Sequence, residues 1–100
     1  MMRLTVDESN VFTDWIENLR DQRARRRIAQ RIFRLESGLF GDVKAVGGGI
    51  VEMRIDYGPG YRVYFTQKES RIILLLCGGD KRTQERDIER AKRMIAELEK

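Results

Sequence analysis

The chain has 100 residues, 41% hydrophobic and 36% charged, and this composition is typical of one folded soluble domain spanning residues 1–100. Histidine is absent and cysteine occurs once, which excludes an intramolecular disulfide, a His-based metal site and Ser-His catalysis. No stretch is apolar for long enough to cross a bilayer, so we expect a cytoplasmic protein without membrane contacts. We also expect no metal and no cofactor. The net charge of +4 favours an acidic or polyanionic partner.

The N-terminal third predicts a strand followed by two helices. Arg3–Val6 is expected as a short strand, and Asp7 as the N-cap of a helix with apolar residues at helical spacing, namely Val11, Phe12, Trp15, Ile16 and Leu19. A break near Asp21 precedes a second helix that ends at Gly38. Its buried stripe is expected to contain Ala24, Ile28, Ile32 and Leu35.

The second helix is unusually basic. Residues 20–36 contain seven arginines and only two acidic residues, which gives a local charge of +5. Some of them recur three or four residues apart and form a predicted basic ridge made of Arg20, Arg23, Arg27, Arg31 and Arg34. Such a ridge fits a polyanion, although a solvated helix face would have the same pattern.

A predicted β-hairpin occupies the middle of the chain. Residues 37–49 are expected as a connecting loop, after which residues 50–57 and 61–67 alternate between apolar and polar side chains. Pairing Tyr57 with Tyr61 keeps the apolar faces together and closes a three-residue loop. In that register Asp56 faces Arg62, Arg54 faces Tyr64 and Glu52 faces Thr66, so Glu52, Arg54, Arg62 and Tyr64 share one polar face.

The last third predicts a buried strand and a helix. The run from Ile72 to Cys77 is continuously apolar, which indicates a strand covered on both faces and ended by Gly78-Gly79, with Cys77 as a buried apolar side chain. Thr83 is the expected cap of a final helix that buries Ile88, Ala91, Ile95 and Leu98. The predicted order is β-α-α-β-β-β-α, an α+β domain with a small, mostly antiparallel sheet and helices packed on it.

Four cations are expected near the polar face of the hairpin: Arg54, Arg62, Lys81 and Arg82. Each has a structural explanation, such as a cross-strand ion pair or a position before a helix. Their convergence on one surface, without a carboxylate for each, favours a phosphate site instead.

The motif ExRIDYGPGYRVYF, followed by LLLCGGDKRTQ, resembles the addiction module killer proteins, a HigB-like branch of the RelE/ParE toxin superfamily, and the similarity extends over residues 12–92. The resemblance implies a RelE-like fold and a type II toxin-antitoxin toxin that cleaves mRNA on the ribosome as an endoribonuclease. It also implies a cognate antitoxin, usually a helix-turn-helix protein, through which alone the toxin would reach operator DNA.

Carried onto this chain, the resemblance assigns the family's functional basic positions to Arg62, Arg54, Lys81 and Arg82. RelE has a lysine at the position of Glu52 and a tyrosine in its C-terminal helix region, where this chain has none. For cleavage by the 2′-OH we expect Arg54 and Arg62 to stabilise the phosphate, Glu52 to act as base and Lys81 as proton donor.

Further RNA contacts are expected from Arg82 to backbone phosphate, from Tyr64 to a base or the 2′-OH, and from the ridge arginines to ribosomal RNA. Two other functions fit the same composition. A ParE-like gyrase poison would share the fold without a nuclease site, and a non-enzymatic nucleic-acid-binding module would use the basic helix alone.

Overall fold

The computed structural model describes residues 3–99, which form a five-stranded sheet with helices on both faces. The elements in chain order are β1 (Thr5–Glu8), α1 (Asn10–Glu17), α2 (Gln22–Leu35), β2 (Val43–Gly47), β3 (Ile50–Ile55), β4 (Tyr61–Lys68), β5 (Ile72–Asp80), a 3₁₀ turn (Lys81–Thr83) and α3 (Gln84–Leu98). The spatial order is β1-β5-β4-β3-β2, in which only β1 and β5 pair in parallel. The predicted α+β class and the interior position of β5 are confirmed.

Helix starts follow the local capping chemistry. Asp21 accepts from the backbone N–H groups of Arg23 and Ala24, so α2 begins where the break in the apolar pattern predicted. The prediction of Asp7 as the first cap is wrong, because β1 runs to Glu8 and the Ser9 hydroxyl accepts from the amide of Phe12.

Two hydrophobic cores lie on opposite faces of the sheet. Under α1 and α2 the buried residues are Phe12, Ile28, Leu35, Met53, Ile55, Val63, Phe65, Ile73 and Leu75. Under α3 they are Ile50, Tyr64, Leu76, Cys77 and Ala91. The expected burial of Cys77 is confirmed, whereas Leu98 is half exposed because it lies in the last turn of α3, beyond the sheet.

The predicted loop at residues 37–49 contains strand β2, which pairs antiparallel with β3. The pairing gives β2 an edge position, and only Val43 and Val46 of its side chains are partly buried. An edge strand with so few buried residues has weak apolar alternation, which is why sequence reasoning missed it.

The predicted hairpin register was wrong by two residues. Ile55, rather than Tyr57, pairs with Tyr61, and Arg54 consequently lies opposite Arg62, and Glu52 opposite Tyr64. A shift by two keeps every side chain on its predicted face. Tyr57 leaves the ladder because residues 56–60 form a longer turn, closed by a hydrogen bond from the Gly60 amide to the Tyr57 carbonyl.

Gly78 and Gly79 do not end β5 but lie within it, because α1 and α3 pack closely on its two faces. A Cβ at Gly78 would stand 2.3 Å from the Trp15 ring on α1, and one at Gly79 would overlap the Asp87 carboxylate on α3. The glycines are therefore needed for close packing rather than for a turn.

None of the helices between residues 3 and 99 is long and apolar enough to cross a membrane.

Candidate functional site

An open cleft of about 510 Å³ lies where the β3–β4 hairpin meets the 3₁₀ turn. Its charged lining residues are the cations Arg54, Arg62 and Lys81 and the acids Asp42 and Asp56. Three of the four predicted phosphate-binding cations therefore converge as expected. We call this surface the hairpin cleft.

Arg54 and Arg62 face each other across the two strands, an arrangement of like charges that is unfavourable unless each has a counterion. Arg54 donates to the Asp42 carboxylate over 2.9 and 3.2 Å in a half-exposed ion pair. Arg62 has a different partner, Glu52, whose carboxylate lies 3.9 Å from its Nε. The two arginines thus remain close together because separate acids balance their charges.

Arg62 lines the hairpin cleft, although only 11% of its side chain is exposed. Its Nη1 donates to the carbonyls of Gly60 and Tyr61, at 2.9 and 3.1 Å. Its Nε is buried and makes no hydrogen bond within residues 3–99. The Nη1 end of the side chain is therefore tied to the hairpin backbone, while Nε has only the longer ionic contact with Glu52.

Glu52 and Tyr64 lie beneath α3 rather than on the cleft surface. Both are essentially inaccessible to solvent, at 2% and 0% exposure. One carboxylate oxygen of Glu52 accepts from the Tyr64 hydroxyl at 3.0 Å and from the Gln84 amide at 2.8 Å. Burial, and secondly this hydrogen bond, raise the pKa of Tyr64 well above its ordinary value, so the phenol stays protonated.

These positions contradict two sequence-based expectations. Glu52 was expected to act as a base and Tyr64 to contact the RNA, but α3 covers the half of the polar face that contains them. Tyr64 therefore cannot stack on a base, and Glu52 cannot meet a 2′-OH, in this conformation. Periodicity identified their shared face but not the helix that lies on it.

Lys81 and Arg82 are brought to the edge of the cleft by the 3₁₀ turn. Asp80 caps this turn by accepting from the Arg82 amide at 2.8 Å, while the Asp80 amide donates to the Thr83 hydroxyl. The Lys81 side chain is exposed in the hairpin cleft. Arg82 points into an adjoining cleft and pairs with the Asp80 carboxylate at 3.0 Å, a contact that lowers the pKa of Asp80.

The predicted α2 ridge divides into different environments. Arg27, Arg31 and Arg34 line a smaller cleft of about 250 Å³ that shares Ile55 and Asp56 with the hairpin cleft. Arg27 stacks over the Tyr57 ring, 4.8 Å from its centroid, whereas Arg23 is exposed at the start of the helix.

Arg31 turns inward instead of towards solvent. Its guanidinium donates to the backbone carbonyls of Arg54, Phe40 and Asp42, at 2.5, 3.2 and 3.4 Å. Partial burial lowers its pKa, an effect opposed by the nearby Asp42 charge. Arg31 therefore ties α2 to the β3 backbone, and its predicted RNA contact does not fit this geometry.

Sequence reasoning missed two contributors to the site. Asp42 was assigned to a connecting loop, although it directly precedes β2 and binds Arg54. Gln84 was treated only as a helix residue, although it donates to buried Glu52. Neither contact has a signal in the local sequence, because each joins residues more than ten positions apart. Within residues 3–99 no cluster of three His, Cys, Asp or Glu side chains could hold a metal ion.

The fold and the hairpin cleft together define a small α+β protein with a cleft at the turn of a hairpin, lined by three cations and two acids. Residues 14–97 match the family model described as "Phage derived protein Gp49-like (DUF891)", and the chain belongs to this family.

Two individual proteins are similar to the chain over nearly its full length. An uncharacterized protein of Haemophilus influenzae is 45% identical over 97 residues, which cover 97% of this chain and 98% of the relative. A structure of E. coli toxin RelE, a double arginine-to-alanine mutant in the free state, superposes with a TM-score of 0.72 at 16% identity. That match covers 92% of this chain and 98% of RelE, and it shows that the chain has a RelE-like fold.

Proposed function

We propose that this protein is the toxin of a type II toxin-antitoxin module and acts as a ribosome-dependent mRNA endoribonuclease. The observation that carries the proposal is the convergence of Arg54, Arg62 and Lys81 in one cleft of a RelE-like fold. Three cations around a cleft open to solvent suit a phosphodiester, since they can neutralise its charge in the transition state.

The proposed reaction is an attack of the 2′-oxygen on the adjacent phosphorus, with cleavage of the bond from phosphorus to the 5′-oxygen. The proton of the 2′-OH passes to a base, and the leaving 5′-oxygen receives a proton. The products are a 2′,3′-cyclic phosphate and a 5′-hydroxyl. Arg62 and Arg54 stabilise the charge that develops on the nonbridging oxygens, and Lys81 donates the proton.

Arg54 must exchange Asp42 for the substrate phosphate in this scheme. The exchange is inexpensive, because a half-exposed ion pair contributes only about 0–1 kcal/mol. Arg82, which is mostly exposed beside Lys81, would hold a neighbouring phosphate. Arg23, Arg27 and Arg34 would contact ribosomal RNA, and their removal should change ribosome affinity and its salt dependence more than the cleavage step.

The partners of the proposed function are the ribosome with its mRNA and a cognate antitoxin that neutralises the toxin. We also propose the HigB-like branch, in which the antitoxin is a helix-turn-helix protein and carries the complex to operator DNA. The sequence motif of the hairpin supports this assignment.

The test is induction of the chain with and without the product of the adjacent gene, followed by primer extension on a reporter mRNA. We expect growth arrest, new 5′ ends within translated codons, and suppression of both by the neighbouring protein. Arg62→Ala should abolish cleavage. Arg93→Ala, which removes the same charge from the exposed side of α3, is the matched control and should cleave normally.

The same experiment separates the competing functions. An SOS response without new mRNA ends would refute the ribonuclease and support a gyrase poison. Growth arrest that Arg62→Ala leaves intact would instead exclude the hairpin cleft as the active site.

A further inference from the structure

We propose that Glu52 is a positioning residue for Arg62, which it holds so that the remaining guanidinium edge faces a phosphate in the hairpin cleft. This inference rests on the proposed role of Arg62 as a phosphate ligand. It replaces the expectation that Glu52 is a general base with a function that suits a carboxylate buried behind the cleft wall.

The two carboxylate oxygens of Glu52 have different partners. Oε2 accepts from the Tyr64 hydroxyl and from the Gln84 amide, one donor on β4 and one on α3, which fixes the plane of the carboxylate. Oε1 is then directed at Arg62, 3.9 Å from its Nε. The carboxylate is therefore held by neutral donors, and its charge is available for the arginine.

Two of the three guanidinium nitrogens of Arg62 have neighbours inside the protein. Nη1 donates to two backbone carbonyls, and Nε faces Glu52 inside the protein, where no hydrogen bond within residues 3–99 satisfies it. Nη2 donates to no residue in that range. Because the guanidinium is planar and rigid, fixing Nε and Nη1 also fixes the direction of Nη2.

The buried Nε of Arg62 lies too far from the Glu52 carboxylate for a hydrogen bond in this conformation. A buried donor without an acceptor is unfavourable, and a shortening of the 3.9 Å separation by about 1 Å would create a charge-assisted hydrogen bond. A phosphate at Nη2 would hold the guanidinium from its other side. We therefore expect the contact between Nε and Glu52 to tighten when an anion is bound.

The two arginines of the hairpin cleft have different acidic partners, and this difference separates positioning from simple electrostatics. Asp42 on Arg54 and Glu52 on Arg62 each neutralise one arginine, but Asp42 is exposed and Glu52 is buried. If only charge mattered, replacing either acid by its amide would make the cleft more positive and strengthen anion binding. Positioning predicts the opposite sign for Glu52 alone.

The experiment measures binding of inorganic phosphate to the full chain by NMR titration, well below the melting temperature of each variant. We expect Glu52→Gln to weaken binding about tenfold, as for the loss of one charge-assisted hydrogen bond, while Asp42→Asn leaves it unchanged or tighter. The Nε–Hε resonance of Arg62 should shift on phosphate addition in the unmodified protein, and less in Glu52→Gln.

A double-mutant cycle tests whether the effect passes through Arg62. In an Arg62→Lys background, which lacks Nε, Glu52→Gln should change phosphate binding by less than about twofold. A purely structural role for Glu52 would lower the melting temperature without moving the Arg62 resonance. If Glu52→Gln fails to fold, Gln84→Met removes one donor to the carboxylate and should shift the same resonance in the same direction.

The proposal is overturned if Glu52→Gln and Asp42→Asn strengthen phosphate binding alike. It is also overturned if the Nε–Hε resonance of Arg62 shifts neither on the Glu52→Gln substitution nor on addition of phosphate. Its failure can be distinguished from failure of the proposed function. A protein that binds phosphate through a Glu52-dependent Arg62 yet produces no mRNA cleavage upholds the positioning role and refutes the ribonuclease.

Discussion

The Tyr64 hydroxyl offers a direct test of the buried network behind the hairpin cleft. Tyr64→Phe removes one oxygen from a fully buried side chain and leaves the ring in place. The lost hydrogen bond spans 3.0 Å to a carboxylate, and bonds to charged groups contribute about 1.5–3 kcal/mol. Gln84 still donates to the same oxygen, so we expect the free energy of unfolding to fall by about 1.5 kcal/mol, at the lower end of this range.

Urea unfolding monitored by circular dichroism measures this change, with an unaltered m-value as the sign that the denatured state is the same. Tyr57→Phe is the matched control, because its hydroxyl lies 3.5 Å from Asp21 in an exposed contact. Its removal should cost less than about 0.5 kcal/mol. Equal stabilities of Tyr64→Phe and Tyr57→Phe would refute the argument that the Tyr64 hydroxyl is part of a buried polar network.

Three further predictions concern packing, pH and the α2 ridge. Gly78→Ala places a methyl group against Trp15 and should destabilise the fold by about 1–3 kcal/mol in urea unfolding; part of that loss should return when Trp15 is also replaced by Leu. Burial raises the pKa of Cys77 to about 12 from an ordinary value of 9.0, so its contribution to stability is complete below about pH 9 and is lost as the pH rises towards 12. The free energy of unfolding should accordingly fall by up to about 1.4 kcal/mol per pH unit between pH 9 and 10, and Cys77→Ala should flatten this slope. An unchanged slope in Cys77→Ala would show that the Cys77 thiol does not cause the pH dependence. Arg31→Ala should cost about 1–3 kcal/mol because three carbonyls lose a donor, whereas Arg23→Ala should stay within about 0.5 kcal/mol and instead reduce the salt dependence of RNA binding in a filter assay.

The sequence alone determined most of the architecture, because strong periodicity specifies which side of an element is buried. The apolar stripe of α2 and the alternation in β3 and β4 predicted the right faces. Even with the register wrong by two residues, each side chain kept its face, since the side chains of a strand alternate with a period of two. The common face of Arg54 and Arg62 followed from that alternation, whereas the 3₁₀ turn brings Lys81 to the same cleft.

Only the tertiary structure decided which parts of the polar face reach solvent. α3 lies across one half of that face and buries Glu52 and Tyr64, while Arg54 and Arg62 at the hairpin end remain at the cleft. The position of a helix over a sheet depends on close approach between distant residues, as Gly79 and Asp87 show, and such contacts have no periodicity in the chain. For that reason the sequence could place four polar residues on one face but could not separate the two that line the cleft from the two that α3 buries.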